Sequence, residues 1–145
     1  MFPGVHDSLL VGYSVNSESQ ELLLSIKPHH DSAPAPFAVL FQGVAAHNFD
    51  TPVMPAILYG ITRVPADNLI RADWPAIERG FKLGGWPGPW AVTLANATDF
   101  ANSNGLSGFE IESSYGLSGW VLAQSVGLHA SGPQQFKPTP LRGAA

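Results

Sequence analysis

Residues 109–122 read Phe-Glu-Ile-Glu-Ser-Ser-Tyr-Gly-Leu-Ser-Gly-Trp-Val-Leu, and no other stretch limits the fold as sharply. Apolar and polar side chains alternate over 109–115 with period two, which is the period of a half-buried strand. Gly116 and Gly119 then bracket a turn, and a second apolar run returns from it. The pattern predicts a hairpin with Phe109, Ile111, Ser113 and Tyr115 on the core face. Glu110, Glu112 and Ser114 take the solvent face, and the second strand runs over 120–128.

Other segments extend the β reading. Over 5–15, Val5, Leu9, Val11, Tyr13 and Val15 alternate with His6, Ser8, Gly12 and Ser14, which predicts a strand. A polar turn at 16–20 leads to 21–27, where Leu22, Leu24 and Ile26 alternate with Glu21, Ser25 and Lys27 and complete a hairpin. Three prolines make 28–36 a loop, and it carries His29, His30 and Asp31. Residues 37–44 are apolar on both alternations, as in a strand covered on both faces or one closing a small barrel. In 56–64, Ile57, Tyr59 and Ile61 alternate, while Ile57, Gly60, Ile61 and Val64 also fit a helical stripe. Gly60 and the β-branched residues favour the strand.

Asp73-Trp74-Pro75-Ala76-Ile77-Glu78-Arg79-Gly80 predicts a short helix with Asp73 as N-cap, Pro75 in the first turn and Gly80 as the stop. Gly-Gly-Trp-Pro-Gly-Pro-Trp makes 83–90 a loop, 91–97 reads as one more strand, and 102–108 as a flexible approach to the hairpin. Three prolines and few apolar anchors make 130–145 a flexible C-terminal tail. The expected architecture is one mainly β domain over 1–129, an antiparallel β-sandwich or half-open barrel of six to eight strands with one short helix.

A chain of 145 residues buries about two-thirds of its unfolded surface and needs no metal or disulfide to make a core. Charged residues are 12%, about half the usual share, so the surface must be polar through Ser, Asn, Gln and backbone. Seven basic against eleven acidic residues give a net charge of −4, and the basic ones are scattered. That argues against nucleic acid, whose phosphates need a basic face, and leaves room for a protein partner. The absence of cysteine excludes disulfides, thiolate zinc sites and cysteine nucleophiles. No run of ~18 apolar residues predicts a membrane span, and the first fifteen residues lack a basic signal-peptide start, so a cytoplasmic protein is expected.

The chemistry-bearing residues are few. Asp7 stands in the apolar register between Val5 and Leu9, either as a turn residue accepting backbone hydrogen bonds or as an acid-base partner of His6. Adjacent strand residues point to opposite faces, so the two should not share a site. His29, His30 and Asp31 could hold a metal with His6, His47 or His129, but their spacing fits no metal motif, and no metal or cofactor is expected. Glu110 and Glu112 share a face within about 7 Å, close enough to raise one pKa or to repel on a solvated surface. Ser118 lacks the second glycine of a hydrolase elbow because Trp120 stands there, and no phosphate-binding glycine motif occurs. Trp86 and Trp90 offer either a binding edge or a lid over an open end of the sheet.

Gly-Val-His-Asp-Ser at 4–8, Val-Leu-Phe-Gln-Gly-Val at 39–44 and Phe-Glu-Ile-Glu-Ser-Ser-Tyr-Gly-Leu-Ser-Gly at 109–119 resemble a loose group of small bacterial domains. These join an N-terminal strand bearing His-Asp to a central Phe-x-Gly-Val strand and a late strand ending in Ser-x-Gly. The group is similar to some immunity proteins of polymorphic toxin systems, and the likeness spans most of 4–128. It implies a β-rich fold and a non-enzymatic, protein-binding role; it carries over no catalytic residue and does not include the 86–90 loop. Three functions follow as expectations: a non-catalytic protein-binding domain, a small-molecule or carbohydrate module using Trp86 and Trp90, or a hydrolase using Asp7 and His6 with Glu110 and Glu112. The candidate binding residues are Trp86, Trp90, Glu110, Glu112, His6 and Asp7.

Overall fold

A computed structural model describes residues 5–28 and 35–130. His29, His30 and Asp31, and the tail expected from residue 130 onward except Ala130 itself, lie outside the described residues. The chain runs β1 (Leu9–Asn16), β2 (Glu21–Lys27), β3 (Phe37–Gln42), β4 (Ala46–Asp50) and β5 (Ala56–Pro65), then α1 (Ala66–Ala72) and α2 (Trp74–Gly84). A 3-10 turn at Pro89–Ala91 and α3 (Leu94–Ser103) precede β6 (Ser107–Tyr115), β7 (Ser118–Ala123) and β8 (Ser125–Ala130). The eight strands form one sheet in the order β4-β7-β6-β5-β1-β2-β3-β8, with every described pairing antiparallel. The mainly β expectation therefore holds, and residues 56–64 are strand. Among the described residues no helix is long and apolar enough to cross a membrane.

The helical content departs from the single short helix expected. Residues 91–97 are not a strand: Thr93 sits in extended backbone and its Oγ1 accepts the Asn96 N–H at 3.1 Å, capping α3. Helix-favouring Ala95 and Ala97 then carry the chain on, and Ala97 and Ala101 pack on one buried face. α2 passes through Gly80 instead of stopping there. The ring of Trp86 lies where a side chain at 80 would be, with Cε3 2.5 Å from an ideal Cβ, so this glycine serves packing.

Strand registers also shift. β1 starts at Leu9 rather than 5, because Asp7 has left-handed backbone (φ +61°) and donates its N–H to the Leu58 carbonyl at 2.9 Å. A bulge between Leu10 and Gly12 turns Leu10 inward, opposite Ile26. The strand expected over 120–128 is two strands, broken at Gln124, whose N–H reaches the carbonyls of Gln42 and Gly43. In β6, Phe109 and Ile111 are buried and Glu110 and Glu112 exposed, but irregular pairing with β5 leaves Tyr115 in solvent.

Alternation sorts the buried residues into two clusters. The inner one takes Leu22, Leu24, Val39, Phe41, Leu58, Ile61, Phe109, Ile111 and Val121 from five strands, with the rings of Phe41 and Phe109 5.3 Å apart. The outer one joins Trp120 and Leu122 of β7 and Ala46 of β4 to Ile70, Ile77, Ala97 and Ala101 of the helices. Trp74, Phe81, Trp86 and Trp90 pack against its margin. Burying each large side chain of this kind contributes about 1.5–3 kcal/mol.

Candidate functional site

The three helices do not cover the outer face of β6 and β7 completely. Between α1, its junction with α2, and those strands lies a groove of about 510 Å³, walled by Val64, Pro65, Asn68, Leu69, Ala72, Asp73, Glu110, Gly119 and Trp120. Local rules place its two ionisable residues. Glu110 and Trp120 are direct cross-strand partners, so both project on the outer face. Asp73 is the single residue between α1 and α2.

Asp73 stands at the N-cap position of α2, as its sequence context predicts, yet its side chain caps nothing. The carboxylate is drawn instead to the sheet. Oδ2 accepts the indole N–H of Trp120 at 2.6 Å and lies 3.5 Å from the Asn48 amide nitrogen. A bond to an ionised acceptor is short and roughly twice as strong as a neutral one. β4 reaches this point because Gly119 lets it come close: at φ +146°, a Cβ on Gly119 would lie 2.0 Å from the Asn48 carbonyl oxygen. Glu110, across the groove, is exposed and makes no hydrogen bond or ion pair with any described residue. The carboxylates of Asp73 and Glu110 and the amide of Asn68 over an apolar floor suit a guanidinium or ammonium group on an aliphatic stem.

The other candidates are distributed elsewhere. His6 and Asp7 do come together, contrary to the opposite-face expectation, since the left-handed backbone at Asp7 turns both side chains to one side: Nε2 and Oδ2 are 3.4 Å apart. His6 Nδ1 meets the Tyr59 carbonyl at 3.0 Å, and its ring stands edge-on to Tyr59 at 5.4 Å. Both side chains are more than half exposed, so the pair contributes little energy. Neither lines the groove that holds Glu110. Glu112 lies opposite Gly60 on the same outer face and is also outside the groove wall.

Trp86 and Trp90 serve different contacts. Trp86 packs on Trp120 at 6.0 Å, behind the groove wall; Trp90 stacks on Phe100 at 4.9 Å with nearly parallel planes. Trp90 also borders a separate groove of about 270 Å³ with Gln20, Asn104 and Gln124. The serines are engaged with backbone, Ser113 with the Leu117 carbonyl and Ser114 with that of Ile57. Among the described residues no three His, Asp or Glu side chains are grouped to hold a metal ion. His47 is half-buried against Phe49 at 5.1 Å, and burial holds its imidazole below the usual histidine pKa.

Asp73 escaped sequence reasoning because a carboxylate before a helix is satisfied by capping alone. Its recruitment depends on Trp120, 47 positions away. No protein-family model matches this chain, and neither does any curated protein or solved structure.

Proposed function

We propose that this chain is a non-catalytic domain that binds another protein and receives a basic side chain of that partner in the groove between α1 and β6–β7. The observation that carries the reading is the Asp73 carboxylate, fixed by the Trp120 indole at 2.6 Å on the wall of a groove that also presents Glu110, which has no partner among the described residues. A fixed carboxylate loses little entropy on meeting a cation, and its apolar surroundings weaken competition from water. The net charge of −4 favours a basic partner in the same direction. An immunity-like role, in which the domain masks a toxin, agrees with this and with the resemblance of the 4–8, 39–44 and 109–119 segments. A cytoplasmic location belongs to the same proposal.

The hydrolase alternative has less support, since it needs His6 or Asp7 beside Glu110 or Glu112, and the groove that holds Glu110 holds none of the other three. We further read the sheet as coiled into a half-open barrel. β3 and β4 are separated by three residues and β7 and β8 by one, so β3 on β8 and β4 on β7 continue a single long ribbon. The contact of Phe41 with Phe109 brings two distant parts of the strand order face to face.

The test is calorimetric titration of the purified chain with the product of a neighbouring toxin-like gene. A complex weakened about tenfold by Glu110→Lys, and weakened again by salt, is expected for a cation bound between carboxylates. No complex, or one indifferent to both Glu110→Lys and Asp73→Asn, overturns the proposal.

A further inference from the structure

β1 is bound along one edge and bare along most of the other. β2 pairs with it through Asn16, whereas β5 pairs only with Leu9 and Leu10. β5 begins at Ala56, and the residues that would prolong its ladder along β1 include Pro52 and Pro55, which have no N–H to give. Among the described residues nothing pairs with the outer edge of Gly12–Asn16. A bare edge is a row of backbone donors and acceptors, and what satisfies it is another extended strand.

The side chains show which strand fits. Residues 11–17 contain no charge and no proline, two of the devices that normally guard an edge, and the bulge after Leu10 lies at the start of this stretch rather than within Gly12–Asn16. Tyr13 is 37% and Val15 46% exposed, large values for apolar side chains in a strand. Antiparallel pairing of this edge with itself about Ser14 sets Tyr13 opposite Val15 of the second copy, twice. Such aromatic with β-branched pairs are favourable across strands, and no like charges oppose each other. We infer that the free edge of β1 joins the same edge of a second copy, making a two-fold dimer with a continuous sheet. This surface is separate from the acidic groove, and the proposal does not depend on it.

A short ladder gives a weak dimer, so self-association is measured by sedimentation equilibrium from micromolar to millimolar concentration. The wild-type chain should dimerise. Ser14→Lys and Ser14→Glu each place like charges opposite one another at the axis and should each weaken association about tenfold; their equimolar mixture should restore it. A wild-type chain that stays monomeric throughout, or two charged variants that dimerise as well as wild type, overturns the proposal. If either variant fails to fold, hydrogen exchange of the wild type decides. Edge-facing amides of Gly12–Asn16 should gain protection as concentration rises, and exchange independent of concentration overturns the inference.

Discussion

The inner and outer clusters share β7 but are closed in different ways. Phe109 and Val121 face inward among side chains of the strands and of the loops that join them, while their chain neighbours Glu110 and Trp120 face outward toward helices. The inner cluster is apolar and closed by Leu, Ile, Val and Phe that interdigitate across the sheet. The outer one mixes indoles with small alanines and admits a carboxylate, Asp73, at its border. Strands that alternate can seal a space by side-chain volume alone; helices laid on a twisted sheet leave a gap where their axes diverge from it. The candidate site lies in that gap. Incomplete cover on one face of well-ordered strands provides a groove without weakening the packing beneath.

The contrast can be broken by substitution. Phe109→Ala empties a fully buried ring site and should cost about 3–5 kcal/mol in denaturant unfolding. Trp86→Ala on the outer margin should cost less, because that indole is only partly buried; an equal loss would erase the distinction. Asp73→Ala leaves the Trp120 N–H without its acceptor and should cost about 1–3 kcal/mol, with Asp73→Asn retaining part of the bond. No change in the unfolding midpoint of Asp73→Ala would mean that the indole finds water as readily as the carboxylate. Thr93→Ala removes the α3 cap and should cost about 1 kcal/mol, measured the same way.

The smallest expected effect is a pH dependence from the strand side. Burial lowers the folded-state pKa of His47, so the unfolded chain binds a proton first as pH falls below about 6.5. The contribution of neutral His47 to stability is complete above that value and declines below it until the folded form titrates as well. His47→Gln should flatten that decline in unfolding free energy measured from neutral to acid pH, and an unchanged slope would remove His47 as its cause.

Period-two patterning was enough to place β2 and the inward Phe109 and Ile111, because those strands have one face against the inner cluster; β3 was legible as an apolar run, and β5 only through Gly60 and its β-branched residues. It misjudged β1, where a bulge exchanged the faces after Leu10, and it could not see the break at Gln124, which depends on carbonyls contributed by Gln42 and Gly43. Residues 91–97 have no period-two alternation, since their polar positions are Thr93 and Asn96; Thr93 as a cap was the overlooked signal. At the site, Glu110 could be singled out from its strand alone. Asp73 could not, because its role comes from tertiary contacts with Trp120 and Asn48 rather than from its place before a helix.

The pairing of β3 with β8 has a consequence for the order of assembly during synthesis. β1, β2 and β3 can form a meander as soon as they leave the ribosome, since their contacts are local. β3 then keeps one edge vacant through the synthesis of β4, β5, all the helices, β6 and β7, until the last described strand arrives. Loop closure over that distance is slow compared with hairpin formation. Residues 125–130 therefore complete the nascent sheet, and a chain interrupted before them leaves the ribosome with β3 exposed.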